Sequence, residues 1–370
     1  MTTFRSIEGK LSLEEEEIEM LTARKGLKIG TGLILLNFLR GRFMSSNRYE
    51  SVLSPAFWKA FWLTMRPYLI FVSGAAGLVG LAFIENPSLP RVALAFFPLF
   101  LSYGLGQALT DCFQMDTDRI SSPYRPLIKG IVSRRQVLSV SLAGLCSGIL
   151  ILTFLNPVIL FFGALAVFGL LNYTAFKRRW WAGPPWNSWI VALLPVMGRF
   201  VDRDYRLKEI FSLDGQHSLA FLFSVLAVFF AYANFVVMGY FKDISADRKT
   251  GYLTFPVVFG WKPAAVYSDL AAGAAALFAA LALYSSGNLA LPGIALFIAA
   301  LAINFYAQVK IHRTQDESRS YGPIANVVRA FILYSAAIIL TMKNSWIIFM
   351  AFFYLLFEYS LRNRPEKAQV

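Results

Sequence analysis

The sequence predicts an all-α integral membrane protein, a polytopic bundle of nine to ten transmembrane helices. Only 15% of the 370 residues are charged and 57% are hydrophobic, whereas a soluble domain carries about a quarter charged residues. Apolar runs of about 20 residues recur along the chain, and a helix of that length spans a hydrocarbon core of roughly 30 Å. Lys and Arg are concentrated in alternate loops, which is typical of a multi-pass protein.

The apolar runs define ten predicted spans. The fifth is short and polar at both ends, and only the residues MKNS separate the last two, so the sequence is consistent with nine or ten spans. The predicted ranges are 60–84, 91–112, 135–154, 157–176, 186–200, 217–241, 263–284, 289–308, 323–341 and 344–361.

The distribution of basic residues predicts the orientation. With the N-terminus in the cytoplasm, 27 of the 35 Lys and Arg residues lie on the cytoplasmic side and six on the opposite side. The loops 110–135, 177–187 and 240–262 then share the cytoplasmic side. This topology, together with anionic lipid headgroups, explains the net charge of +13, so no nucleic-acid partner is predicted.

Three segments are predicted from composition. Residues 1–55 form a cytoplasmic or interfacial amphipathic N-terminal segment, 56–362 the transmembrane domain, and 363–370 a basic C-terminal tail. The polar start lacks the pattern of a signal peptide. The two cysteines and two histidines are too few and too scattered to predict a disulfide framework or a zinc site.

Two acidic stretches are present, and each lies at the C-terminal end of an apolar run. The first, TDCFQMDTDRISSPYRPLIKG at 110–130, places Asp111, Asp116 and Asp118 within eight residues. The second, GYFKDISADRKTGYLTFPVVFGW at 239–261, carries Asp243 and Asp247. If the helices continue, the i, i+4 and i, i+7 spacings place these carboxylates on one helix face. Carboxylates packed closely near hydrocarbon are costly and need a compensating partner.

Mg²⁺ and a diphosphate together satisfy that requirement. Mg²⁺ is bound in proteins through one or two carboxylates and takes its other ligands from water and substrate phosphate. Arg and Lys of the basic loops would hold the remaining phosphate charge. The alternative is a set of ordinary loop carboxylates paired with nearby cations, and two similar acidic loops on one side weigh against it. Those cations are Arg119, Arg125, Lys242 and Arg248.

The first stretch resembles a motif of the UbiA superfamily of intramembrane prenyltransferases. That motif has the form N-D-x-x-D-x-x-x-D, followed by R-I-N-x-P-x-R-P. This chain reads Thr110-Asp111-x-x-Gln114-x-Asp116-x-Asp118 and then RISSPYRP. Gln114 therefore stands where the family usually has Asp.

The second stretch resembles the family motif D-x-x-D-x-x-x-D, which precedes G-x-x-T-x-P-V. Here it reads Tyr240-x-x-Asp243-x-x-x-Asp247 and then RKTGYLTFPVVFG, so Tyr240 replaces the first Asp. Between the two motifs, LLNYTAFKRRWWAGPPWNS is similar to the family's Tyr-rich, Lys-Arg loop. The resemblance covers roughly residues 55–340, and four carboxylates match where six are usual.

The resemblance implies a central cavity in the bundle, with both acidic motifs at its cytoplasmic end. It also implies Mg²⁺-dependent ionisation of a prenyl diphosphate donor within the bilayer and capture of the allylic cation by a hydrophobic acceptor. The implied catalytic and metal-binding residues are Asp111, Asp118, Asp243 and Asp247, with Asp116 and Gln114 as further oxygen donors. The implied diphosphate ligands are Arg125, Lys177, Arg178 and Lys242.

Five further residues are candidates for the cavity wall. Arg66, within LTMRPYLI, would either contact substrate or extend its charge to the membrane surface. Tyr173 and Asn187 suit either a cavity or a structural role. Asn234 lies deep in the sixth span, where a polar group is costly, and is predicted to face the cavity. Tyr240, at the altered motif position, completes the set.

Three classes of function remain open. The leading one is a prenyltransferase, which transfers an alkyl group other than methyl from a diphosphate donor to an aromatic or lipid-like acceptor. A UbiA-type terpene cyclase would use the same ionisation without an acceptor, the cation being quenched internally or by water. A transporter or lipid-binding scaffold is less consistent with the sequence, because no inverted repeat with interrupted helices is apparent.

Overall fold

The computed structural model describes residues 49–207 and 216–365, and its regular structure there is helical. The predicted amphipathic segment up to residue 48 and the tail from residue 366 lie outside the described residues. The α-helices are α1 Pro55–Thr64, α2 Ile70–Ala82, α3 Leu89–Asp111, α4 Met115–Ser121, α5 Arg134–Leu155, α6 Ile159–Lys177, α7 Gly183–Arg199, α8 Gln216–Tyr240, α9 Ile244–Lys249, α10 Phe255–Phe259, α11 Trp261–Ser285, α12 Leu291–Arg313, α13 Tyr321–Met342 and α14 Ile347–Arg362.

The all-α transmembrane fold is confirmed, with a smaller number of clear spans. In the described part, eight helices are long and apolar enough to cross a membrane, or nine if α1 and α2 count as one bent span. The predicted span at 186–200 corresponds to α7, whose 17 residues make it about 25 Å long. Helix α7 is therefore shorter than the hydrocarbon core and is not among the nine helices counted above. It accounts for the difference from the ten predicted spans.

The first predicted span is broken beside the sequence Arg66-Pro67. The two halves meet at 53°. Arg66 adopts a left-handed backbone conformation with φ 54°, and it is the only residue other than glycine with positive φ in the described ranges. Such a conformation costs about 1–2 kcal/mol and persists only where surrounding contacts hold it. Those contacts are made by the Arg66 side chain in the functional site.

The long helices pack in two groups. Helices α2, α3, α5, α6 and α7 form the N-terminal group, and α8, α11, α12 and α13 form the C-terminal group. Packing of α7 on α8 and of α2 on α13 joins the groups. Helix α13 is buried along nearly its whole length, so it is the central helix of the bundle.

Helices α2 and α7 approach each other closely at glycines. A Cβ added at Gly80 would overlap the carbonyl oxygen of Pro195, and one at Gly198 would lie 2.5 Å from the carbonyl oxygen of Gly77. Small residues at such crossings allow the close backbone contact that stabilises helix pairs in membranes.

We expect Gly80→Ala to lower the stability of the detergent-solubilised protein by about 1–3 kcal/mol, because the added methyl group overpacks the α2–α7 contact. Gly273→Ala is the matched control, since a Cβ at this helical glycine of α11 has no neighbour within 4 Å. Thermal unfolding should show a lower midpoint for Gly80→Ala alone. Equal midpoints for the two variants would contradict this packing.

Candidate functional site

A cavity of about 820 Å³ lies between α1, α3, α5, α6, α7 and α8. This volume is within the range of about 300–1,000 Å³ that is common for small-molecule sites. Most of the wall is apolar, and the predicted functional groups gather at the end where α3, α6 and α8 terminate. Eleven of the fifteen predicted site residues line the cavity: Arg66, Asp111, Gln114, Asp118, Arg125, Tyr173, Lys177, Asn187, Tyr240, Lys242 and Asp243.

The first acidic motif is folded around two arginines. Helix α3 ends at Asp111 and the chain turns before α4, so the predicted continuous helix from Asp111 to Asp118 is wrong. Arg125 nevertheless joins the two carboxylates, since its Nη1 lies 3.3 Å from Asp111 Oδ1 and also contacts Asp118 Oδ2. Arg66 Nη2 donates to Asp111 Oδ1 at 3.0 Å, and Gln107 Nε2 donates to the same oxygen at 2.7 Å.

Burial controls the electrostatics of this motif. It raises the pKa of Asp118 to about 6, although the Arg125 guanidinium opposes the shift. Burial lowers the pKa of Arg125, but the carboxylates of Asp111 and Asp118 outweigh that effect, so its pKa is raised and its charge is retained. Arg66 is only 8% exposed and paired with Asp111, which makes the alternative of a side chain reaching the membrane surface wrong.

The second acidic motif also lies beyond the end of a helix. Helix α8 ends at Tyr240, and Asp243 immediately precedes the short helix α9, so the predicted continuing helix is again wrong. Lys242 and Asp243 line the cavity, whereas Asp247 is fully buried behind the wall. Burial lowers the pKa of Lys242 to about 8, although the neighbouring Asp243 carboxylate opposes this shift.

Two short helices bring the motifs together. Helix α4 carries Asp118 and packs against α9, which carries Asp247. A hydrogen bond of 3.1 Å joins the hydroxyl groups of Thr117 and Thr250 across this contact. The predicted convergence of the two acidic loops therefore has a direct structural basis.

Lys177, at the end of α6, lies between the two motifs. Its Nζ donates to Gln114 Oε1 at 2.9 Å and is 3.7 Å from Asp247 Oδ1. The same ammonium lies 5.8 Å from the ring centre of Tyr240 and 5.2 Å from that of Tyr252. Burial raises the pKa of Asp247 to about 6, with Lys177 opposing the shift.

Asp116 and Arg178 lie apart from the cavity, which corrects their predicted place in the site. Arg178 Nη2 donates to Asp116 Oδ2 at 3.0 Å, and both side chains are about half exposed. The hydroxyl of Tyr252 donates to Asp116 Oδ1 at 3.1 Å. Because α4 turns Asp116 away from Asp118, this carboxylate faces the loop after α6.

The predicted position of Asn234 is also wrong, because this residue does not line the cavity. Its Nδ2 donates to Asn304 Oδ1 at 3.1 Å on α12, and its Oδ1 accepts from Ser268 Oγ on α11 at 2.6 Å. Gln308 Nε2 completes the cluster with a bond of 3.1 Å to Asn234 Oδ1. The polar group is therefore satisfied by neighbouring helices and stabilises their packing.

Several site residues were not predicted from the sequence. Tyr103 and Tyr232 line the cavity with a hydrogen bond of 3.3 Å between their hydroxyls, and Asn187 donates to Tyr232 at 3.4 Å. Thr254, the threonine of the G-x-x-T sequence after the second motif, donates to Asp247 Oδ2 at 3.2 Å. Only Thr254 carried a sequence signal, since single tyrosines in apolar helices do not reveal their partners.

The donor set suits a Mg²⁺ that is shared with a phosphate ligand. Among the described residues, no three His, Cys, Asp or Glu side chains converge closely enough to bind a metal by themselves. Asp111, Asp118 and Asp243 all reach the cavity wall, and Mg²⁺ characteristically needs only one or two carboxylates when phosphate supplies further oxygens. The remaining cations at this end suit a polyanionic ligand.

We expect Arg125→Met to destabilise the protein by about 3–5 kcal/mol, because it leaves buried Asp118 without its cation. Arg178→Met is the matched control, since it breaks an exposed Arg–Asp pair whose loss costs about 1 kcal/mol or less. Thermal unfolding in detergent distinguishes them, and adding Asp118→Asn to Arg125→Met should restore part of the lost stability. Equal effects of the two Arg variants would show that burial does not govern this network.

Comparison with known sequences identifies relatives of this chain. A model of the UbiA prenyltransferase family matches residues 69–327. The digeranylgeranylglyceryl phosphate synthase of Thermococcus kodakarensis is 28% identical over 273 residues, which cover 71% of this chain and 90% of that protein. The protein with the same name from Pyrococcus abyssi is 28% identical over 218 residues, covering 57% of this chain and 73% of its own length.

Solved structures share the fold. The apo structure of a UbiA homolog from Aeropyrum pernix K1 superposes with a TM-score of 0.63 at 21% identity, covering 74% of this chain and 97% of that chain. A UbiA homolog from Archaeoglobus fulgidus bound to GPP and Mg²⁺ gives 0.55 at 18% identity, covering 76% and 99%. With the family match, the fold and the paired acidic motifs in agreement, the chain belongs to the UbiA prenyltransferase family and is an integral, multi-pass membrane protein.

Proposed function

We propose that the protein catalyses Mg²⁺-dependent transfer of a prenyl group from a prenyl diphosphate to a lipid-like acceptor within the membrane. The observation that carries this proposal is the single cavity wall on which Asp111, Asp118 and Asp243 meet Arg66, Arg125 and Lys242. These three carboxylates and three cationic groups lie at one end of an apolar chamber. A charged diphosphate fits this end, and a prenyl tail fits the rest.

The cationic groups would hold the diphosphate. Arg66 and Arg125 line the cavity, and the Nε atoms of both are buried without a hydrogen-bond partner in the described structure. An arginine presents several donors in a fixed plane that matches phosphate oxygens. Lys242, at the same wall, adds a point charge near the leaving group.

In the reaction, the bond between C1 of the allylic group and the diphosphate oxygen breaks, and the electron pair leaves with the diphosphate. When bound, Mg²⁺ stabilises the negative charge that develops on that leaving group. The arginines and Lys242 stabilise the same charge from fixed positions, which is where catalysis is required. An acceptor atom then forms a bond to C1, and its proton passes to the released diphosphate.

The rest of the cavity protects the allylic cation. Tyr103, Tyr173, Tyr232, Phe235 and Tyr240 also line the cavity. Aromatic faces stabilise a cation by about 0.5–2 kcal/mol each and do not react with it as water does. Because most of the chamber wall is apolar, capture by a bound acceptor is favoured over hydrolysis.

The acceptor class is suggested by the relatives. Those at 28% identity are named digeranylgeranylglyceryl phosphate synthases, and a glyceryl phosphate lipid is therefore the acceptor we propose. We further propose that the N-terminus and the acidic motifs face the cytoplasm. The excess of basic residues in the loops on that side supports this orientation.

Activity should depend on the cavity-facing carboxylates. We expect Asp118→Asn and Asp243→Asn each to slow product formation by at least about 10²-fold, because each removes charge that holds the metal and its diphosphate. Product from geranylgeranyl diphosphate, Mg²⁺ and geranylgeranylglyceryl phosphate is measured by mass spectrometry. Asp269→Asn, on the partly exposed pair with His312, is the control that should keep full activity. Retained activity in both motif variants would contradict the proposed site.

The acceptor can be tested by omission. We expect prenyl transfer only when the lipid acceptor is present, since the cavity otherwise offers no nucleophile to the cation. Geranyl, farnesyl and geranylgeranyl diphosphates are each incubated with Mg²⁺ alone and with the lipid or an aromatic acceptor. Cyclic hydrocarbons or alcohols formed without acceptor would identify a terpene cyclase instead.

A further inference from the structure

The two altered positions of the acidic motifs, Gln114 and Tyr240, lie around one side chain. Lys177 Nζ donates to Gln114 Oε1 at 2.9 Å, and the Tyr240 ring centre lies 5.8 Å from the same atom. These positions are 126 residues apart in sequence, yet both adjoin a single ammonium group. Their substitutions therefore form one feature of the site.

The surroundings of Lys177 are those of a filled cation site. The ammonium is buried and is surrounded by a carboxamide oxygen, the Asp247 carboxylate at 3.7 Å and two aromatic faces, including Tyr252 at 5.2 Å. A buried ammonium requires such compensation. One full negative charge balances one positive charge, because Gln114 and Tyr240 are neutral. Carboxylates at these two positions would add two negative charges and make the same space suitable for a divalent ion.

Asp247 also differs from the other three motif carboxylates in its position relative to the cavity. It does not line the cavity and is fully buried. One of its oxygens accepts from Thr254 Oγ1 at 3.2 Å, and the other faces Lys177. Asp111, Asp118 and Asp243 all reach the cavity wall, where a diphosphate and its metal would bind.

We propose that Lys177 is a built-in cation that takes the place of a metal ion in the second acidic motif. Asp247 is its counter-ion and does not bind metal, and Mg²⁺ is held by Asp111, Asp118 and Asp243 together with the diphosphate. The inference rests on the proposed function, in that it assumes a Mg²⁺–diphosphate ligand. It revises the metal-binding role that the resemblance implied for Asp247.

Mn²⁺ binding tests this assignment without measuring turnover. The purified full-length protein is titrated with Mn²⁺ at saturating inorganic pyrophosphate, and bound metal is followed by electron paramagnetic resonance. We expect Asp118→Asn to weaken Mn²⁺ binding by about 10-fold or more, as loss of a group that supports a metal usually does. Asp247→Asn should leave Mn²⁺ binding close to that of the wild type, because only the counter-ion of Lys177 is lost.

Two further variants complete the test. Lys177→Met/Asp247→Asn removes the ion pair as a unit, so it avoids leaving one buried charge alone, and it should keep the wild-type Mn²⁺ affinity. Gln114→Asp/Tyr240→Asp/Lys177→Met should bind one more Mn²⁺ per chain than the wild type.

The failures are distinguishable. If Asp247→Asn and the Lys177→Met/Asp247→Asn variant weaken Mn²⁺ binding as strongly as Asp118→Asn, the role of Lys177 is overturned while the metal site of the proposed function stands. If the wild-type protein binds no Mn²⁺ with pyrophosphate, the proposed function itself is overturned.

Discussion

The burial of ionised groups at one end of the bundle is the constraint on which the rest of the structure depends. Asp111, Asp118 and Asp247 are each at most 5% exposed, and a buried carboxylate is tolerated only with a cation and hydrogen bonds. The cations come from distant parts of the chain, namely Arg66 before α2, Arg125 after α4 and Lys177 at the end of α6. Charge pairing thus fixes where these elements meet.

Local irregularities of the fold follow from that pairing. Arg66 retains a left-handed backbone because its guanidinium is bound to Asp111, and the first span bends at this point. The long helices α3 and α8 stop at the acidic motifs, and the short helices α4 and α9 that follow pack against each other. Straight helices would carry Asp118 and Asp247 away from their cations, so the breaks are part of how the site is built.

Sequence reasoning predicted the parts of this arrangement that depend on composition and spacing. Long apolar runs indicated the spans, and the spacing of the acidic motifs indicated Asp111, Asp118 and Asp243, whereas Lys177 was implied only by the family resemblance. It could not predict which partners form hydrogen bonds with a buried polar group. Asn234 is satisfied by Asn304 on α12, not by the cavity, because that choice depends on helix rotation and packing. The helix breaks after α3 and α8 were missed for a related reason, since helical spacing persists across a turn.

The central claim is that one end of the cavity binds a metal–diphosphate group and the remainder binds a prenyl chain. The most direct measurement is a structure of the protein with Mn²⁺ and geranylgeranyl thiolodiphosphate, a donor analogue that ionises slowly, with the metal located by anomalous scattering. The account predicts Mn²⁺ on Asp111, Asp118 and Asp243, phosphates near Arg66 and Arg125, and the tail within the chamber. Binding of the diphosphate elsewhere, or a metal contacting none of these carboxylates, would contradict it.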